Sequence, residues 1–226
     1  MVLFASHDSL IEGNLVSGNG DIGLLAVDSA DRNQILDNTV SDNPEAAMII
    51  EGDGNEVSRN RVLRNGDGIV IAGNNNNIIR NLVVDALGCP DGCGYGISFE
   101  GGSGNLVAQN IIARTIRGIR VDAFAAAAVG TVVRANVVSD ASADGIVINL
   151  EHAGAVRGTL LDGNVVIRAG DDGIDVESTR TTLVRNVATK NGDLGIEAVP
   201  GVTDGGGNRA SGNGNPLQCT NVDCRP

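Results

Sequence analysis

The side chains best suited to chemistry in this 226-residue chain are carboxylates that recur at a fixed place in a repeated phrase. Asp144-Gly-Ile is followed by Asp171-Asp172-Gly-Ile-Asp175 and then by Gly195-Ile196-Glu197. Paired carboxyls can hydrolyse a glycosidic bond when one is protonated at the leaving oxygen and the other activates water, with the two about 5–10 Å apart. Stacked directly, like charges are unfavourable unless a proton, an arginine or a cation intervenes. Asp175 and Glu197 therefore also read as a calcium site or as a carboxyl pair with one raised pKa. Calcium is the only cofactor the sequence suggests. Arg117 and Arg120 are the candidate bases for an elimination reaction, since the only lysine, Lys190, lies in a turn away from the carboxylates. Arg117 beside Asp144 reads equally as a structural ion pair. His152 is a further candidate acid or base, or simply a solvated loop histidine.

These groups are positioned by a repeat. Asn60-Arg-Val62-Leu-Arg-Asn65 follows Asn55-Glu-Val57 and precedes Gly66-Asp67-Gly68-Ile69-Val70-Ile71. The middle Asn recurs as Asn14, Asn38, Asn60, Asn81, Asn110, Asn136, Asn164 and Asn186, with Asn213 as the expected ninth. A first column runs through Asn33, Asn55, Asn76 and Asn105, then Thr131, Thr159 and Thr181; a third runs through Asn19, Asn43 and Asn65, then Ala86, Thr115, Ala141 and Ala169. Each phrase leads into a glycine-opened strand such as Gly145-Ile146 or Gly173-Ile174. Short Val and Ile clusters separated by Asn and Gly are too briefly interrupted for a helix and too regular for a loop. The expected architecture is an all-β, right-handed parallel β-helix of about eight to nine coils, each with three short strands and an Asn ladder, with coils stacked at about 4.8 Å. Val62 then lies between Val40 and Val83, and each Asn amide bonds the Asn above and below.

The N-x-V-x-x-N-x-V phrase with its G-I-x-V strands resembles the right-handed parallel β-helix repeat family, similar in fold to pectate lyases and polygalacturonases. The likeness runs from about Ser9 to Asn213, and the tail through Cys219 and Cys224 looks like that of secreted bacterial proteins of this kind. Asp144, Asp171, Asp172 and Asp175 resemble the aspartate trio of polygalacturonases. Gly192-Asp193-Leu194-Gly195 stands where that family has a G-H-G strand start, and its later R-I-K motif has no match here. D-G-I is also general β-helix phrasing in which Asp caps a turn. A leucine-rich repeat is the alternative fold, but Val and Ile outnumber Leu in the repeat and three Asn columns replace one.

Composition fits a solenoid. Hydrophobic residues make up 42%, aromatic residues 2%, and Trp is absent, as expected where stacked aliphatics fill a narrow interior. One elongated domain is expected over 1–213, with 214–226 as a C-terminal cap. The formal net charge of −12 argues against a nucleic-acid partner, which needs a basic stripe. No apolar run reaches the roughly 18 residues of a membrane helix. The first seven residues lack the pattern of a signal peptide, and the first coil opens at Ser9 without a covering segment. The expectation is a chain whose N-terminal coils, cap and export signal lie outside this sequence. Cys89 with Cys93, and Cys219 with Cys224, are locally close pairs and read as two short disulfides in an oxidising setting.

Enlarged turns at 86–95, 122–130 and 149–158 border one strand face and are placed to wall a groove, with 123–128 as a helical or irregular flap. A period of two turns Ser98, Glu100, Arg120, Asp122, Val147, Asn149, Asp175, Glu177 and Glu197 outward on that face, while Val70 and Ala72 of earlier coils are chemically inert. Tyr95, Glu100, Arg117, Arg120, Asp122, Asn149, Glu177 and Glu197 are the candidate substrate contacts. Tyr95 and Phe124 are the few aromatic platforms. The reading is a monomeric extracellular or cell-surface protein that binds or processes a polysaccharide or cell-surface glycan, as a hydrolase or lyase if an enzyme; the alternative is a non-catalytic surface module.

Overall fold

The computed structural model describes residues 1–88, 93–124, 126–148 and 156–226. It is a right-handed parallel β-helix in which each coil gives one short strand to each of three sheets of nine, nine and ten strands. Pairing joins only neighbouring coils, so every strand from one coil meets its counterpart in the next. No helix occurs among the described residues, and none is therefore long and apolar enough to cross a membrane.

Two features of the repeat produce the coil. The residue before each ladder Asn takes a left-handed backbone, as at Arg59, Arg80 and Gln109 with φ of 56°, 58° and 58°, turning the chain by a corner between sheets. The next side chain then points into the solenoid, where its amide replaces backbone partners lost at the corner. Asn60 Nδ2 donates to Asn81 Oδ1 at 3.0 Å and to the Ile35 carbonyl at 2.8 Å, while its Oδ1 accepts from the Asn38 backbone N–H at 2.9 Å. Val40, Val62 and Val83 stack in register, all at most 1% exposed. Apolar burial in such columns, at about 25 cal/mol per Å², is what one isolated coil cannot obtain.

The ladder ends differently from the sequence expectation. Asn186 Nδ2 donates to Asn208 Oδ1, so Asn208 continues the middle column. Asn213 instead receives Asn191 Nδ2 at 2.9 Å and belongs to the third column. That column begins as Asn19, Asn43 and Asn65 and resumes at Asn191 after four small residues. The run Gly205-Gly206-Gly207 before Asn208 hides the phrase, because it lacks the aliphatic residue that marks it elsewhere. In the first column, Thr131, Thr159 and Thr181 are buried with hydroxyls that find no partner.

One outer corner carries a charge pattern unseen in the phrase. Asp42 meets Arg64, Asp85 meets Arg114, and Asp140 meets Arg168, each closest at 2.7 Å. These residues immediately precede the third-column positions, so acid and base alternate from coil to coil. The hydrogen bond from each arginine holds its aspartate below the usual carboxylate range. Exposed pairs contribute little stability, but a slip of one coil would place like charges together.

The tail folds back on the last coil. Cys219 and Cys224 form a disulfide, Cys224–Arg225 pairs with Asn208–Ser211, and Cys219 bridges to Ile196. Cys93 is disulfide-bonded, and Cys89, its expected partner, lies outside the described residues. A fourth sheet, Gly102–Ser103, Ala128–Val129 and Val156–Arg157, joins the ends of the enlarged turns at 122–130 and 149–158 to the turn that follows Tyr95–Phe99. The expected flap over 123–128 has no helical residue among those described and ends in one of these strands.

Candidate functional site

The candidate site lies on the first sheet, over the strands Tyr95–Phe99, Arg117–Val121, Ile146–Ile148, Ile174–Val176 and Ile196–Ala198. Ile97, Ile119, Ile146, Ile174 and Ile196 are fully buried. Between them and the next inward residue, register places Ser98, Arg120, Val147, Asp175 and Glu197 in one outward row. A second row precedes the strand glycines: Tyr95 pairs with Arg117, and the Gly118 and Gly145 N–H groups donate to the Asp144 and Asp172 carbonyls.

Glycine is required between these rows. A Cβ on Gly145 would collide with Val166 Cγ1, and one on Gly173 with Asn191 Nδ2 and Ala188 Cβ. The strand enters so close to the third sheet that no side chain fits there, which throws the preceding aspartate onto the groove face.

Asp144, Asp171 and Asp172 each present a carboxylate oxygen within 4.8 Å of the others. Asp144 is held from two sides: Arg117 Nε donates to its Oδ2 at 3.2 Å and the Asp172 N–H to its Oδ1 at 3.3 Å. Asp172 Oδ1 accepts the Leu194 N–H at 2.7 Å. Burial, aided by Glu197 and Asp171, pushes Asp172 up to about 7 against that backbone bond. Burial and the charges of Glu177, Asp144, Glu197 and Asp171 push Asp175 up to about 7 as well. Asp171 is raised chiefly by desolvation and then by Asp144. The face thus holds carboxyls that keep protons near neutrality beside a carboxylate fixed by an arginine.

A cavity of about 130 Å³ opens among Tyr95, Arg117, Arg120, Asp144, Val147, Asp175 and Glu177. A second, of about 380 Å³, adjoins it through Asp175 and Glu177 and extends past Glu197 to Pro200, Thr220 and Asn221. Together they form a groove across consecutive coils. Arg120 lies 4.9 Å from the Tyr95 ring centroid and pairs with Asp122.

Most expected site residues meet here, with two corrections. Asp122 does not face the groove as a contact: it is fully buried, taking Arg120 and the Ala123 N–H. Ser98, Val70 and Val147 keep the outward parity in register yet are buried, at 2%, 7% and 5% exposed. The suggested calcium pair, Asp175 and Glu197, is in register, and a separate trio, Asp144, Asp171 and Asp172, brings its carboxylate oxygens within 4.8 Å of one another. Glu100 is half-buried at the groove margin, its carboxyl raised by burial. Asn149 and His152 lie outside the described residues. Thr220 and Asn221 went unread; their only signal is a polar pair directly after Cys219, where the tail must turn back over the last coil. Asp67, in the same row as Asp144, accepts the Gly94 and Tyr95 N–H groups and joins no carboxyl cluster, so D-G-I alone does not mark the site.

Similar architectures occur in solved structures. The catalytic unit of a thermostable GH87 alpha-1,3-glucanase from Streptomyces thermodiastaticus strain HF3-3 superposes with a TM-score of 0.69 at 18% identity, over 92% of this chain and 50% of that one. The Dettilon tailspike protein gives 0.64 at 20%, over 94% and 46%. An alginate lyase from Paenibacillus sp. str. FPU-7 gives 0.61 at 14%, over 96% and 97%. The chain thus spans about half the length of the first two. At these identities the likeness is one of fold. No curated protein matches the sequence significantly. The family model described as right handed beta helix region matches residues 1–131 and again 46–186, and with the stacked coils already seen, the chain belongs to the right-handed β-helix family.

Proposed function

We propose that the groove binds a polysaccharide and that its carboxyl cluster hydrolyses a glycosidic bond. The observation that carries this reading is the meeting of Asp144, Asp171 and Asp172 from two adjacent coils, with their oxygens within 4.8 Å, beside a groove that Asp144 itself lines. Asp172, protonated near neutrality, gives its proton to the glycosidic oxygen as the bond to the anomeric carbon breaks. Asp144, oriented by Arg117, takes a proton from the water that attacks that carbon. The products are a new reducing end and a new hydroxyl. Asp175 lines the same groove and is placed to meet the sugar. Glycan-acting proteins among the similar folds, the glucanase and the alginate lyase, support the substrate class.

Elimination is the weaker chemistry. Its candidate bases, Arg117 and Arg120, are each engaged by an aspartate, and Lys190 sits in an outer corner with φ of 61°. The Cys219–Cys224 disulfide supports an oxidising, extracellular or periplasmic setting. A purely binding module is the second reading. It is favoured by Asp172 serving, like Asp67, as a cap for the next coil's N–H groups.

The test is release of reducing ends from a panel of polysaccharides at pH 6. Asp172→Asn keeps the acceptor for Leu194 but cannot donate the proton, so turnover should fall by about 100-fold or more while glycan binding stays. Full activity in D172N would refute the assignment. Binding without turnover by the unaltered protein would leave the module reading.

A further inference from the structure

Resting on the polysaccharide reading above, we infer that the groove selects an uncharged, hydroxyl-bearing glycan and discriminates against polyuronates. The argument is one of charge and available partners. A uronate needs a cation or several N–H donors that are free to meet its carboxylate. Among the described residues lining the groove, the only cations are Arg117 and Arg120. Arg117 holds Asp144, and Arg120 holds the buried Asp122 while stacking on Tyr95. A substrate carboxylate would meet no free cation here: each guanidinium is already partly neutralised by its own aspartate, which weakens what it can offer a second anion.

The remaining wall is acidic. Asp175 and Glu197 line the larger cavity, which contains no cation among its described lining. Asp171 and Asp172 stand beside Asp144. What this wall offers is hydrogen bonding of both senses: ionised carboxylates accept from sugar hydroxyls, and carboxyls that retain a proton donate to hydroxyl or ring oxygens. The Thr220 hydroxyl and Asn221 amide add further polar atoms at the far end. Such a surface suits a neutral hexosan, and the Tyr95 ring at the near end gives one apolar face for a sugar ring.

The experiment is calorimetric titration of D172N, the slowed form, with length-matched oligosaccharides at pH 7: gluco-oligosaccharides of α and β linkage against oligogalacturonates and alginate oligomers. At least one neutral series should bind at least tenfold more tightly than either acidic one at 50 mM salt, and the difference should narrow at 500 mM as screening shortens the reach of the carboxylates. Equal or tighter binding of an oligouronate would overturn the inference while leaving a glycan-binding groove in place. Failure of every sugar to bind, repeated with the unaltered protein, would overturn both this inference and the function on which it rests.

Discussion

Replacing Asp175 by Asn should make the protein more stable in alkali and leave it nearly unchanged in acid. Asp175 lies mid-groove, with Glu197 opposite it in the next coil and Asp144, Asp171 and Glu177 close enough to act on it. Its carboxyl titrates at about 7 instead of 3.8, first because it is buried and then because of those like charges. A difference of that size corresponds to about 4 kcal/mol at about 1.4 kcal/mol for each tenfold change in proton affinity. The groove is open on one side, and solvent screening reduces this to about 2 kcal/mol. The sign follows from proton binding: between pH 4 and 7 the folded protein retains a proton that the unfolded chain releases. The wild type therefore loses this stability as pH rises through that window, and the loss is complete above about 8. The amide carries no charge to desolvate and keeps the side chain's shape. For a chain of this length about 2 kcal/mol is roughly 4–8 °C in Tm. Thermal unfolding of both proteins at half-unit steps from pH 4 to 8.5 should show curves that start close and diverge through the window. Parallel curves, or an advantage for the wild type at pH 8.5, would refute the placement of Asp175 as a buried carboxyl among like charges.

The ladder gives two opposite perturbations. Asn136→Ala removes bonds to Asn110, Asn164 and the Val107 carbonyl within a fully buried column, and urea unfolding should show a loss of about 3–5 kcal/mol. Thr131→Asn should instead gain about 1 kcal/mol in the same assay, because the first column places an Asn oxygen over the N–H of the coil before it, as Asn105 does for Asn76, whereas the Thr131 hydroxyl is buried without a partner.

The coils were legible because their determinants are local and repeated. A left-handed corner, an inward amide and two aliphatics recur within each phrase, and stacking turns a local phrase into a column. The outward row from Arg120 to Glu197 followed from the same period of two. What could not be read depends on matters the period does not encode. Asp122 has the parity of a groove residue, yet Arg120 and the Ala123 N–H supply partners that let it be buried. The fourth sheet arises between turn insertions of unequal length, for which no phrase exists. Thr220 and Asn221 reach the groove only because the disulfide-closed tail doubles back on the final coil. The alternating Asp and Arg corner was visible in principle, since each residue directly precedes a third-column position, but it requires comparing neighbouring phrases rather than reading one.

That corner and the groove are made from the same residue types and differ in what faces them. At the corner each aspartate has an arginine one coil away, so proton affinity falls and the charges set register. On the first sheet the corresponding coil-to-coil neighbours are carboxyls: Asp175 meets Glu197, and Asp144 meets Asp171 and Asp172. The proton affinities of Asp171, Asp172 and Asp175 rise, and stability is lost as pH rises toward neutrality. A scaffold that neutralises its aspartates on one face so regularly has the means to do so on another. Carboxyls of raised proton affinity gathered beside a groove, at a cost to stability, are the pattern expected of side chains retained for binding and proton transfer.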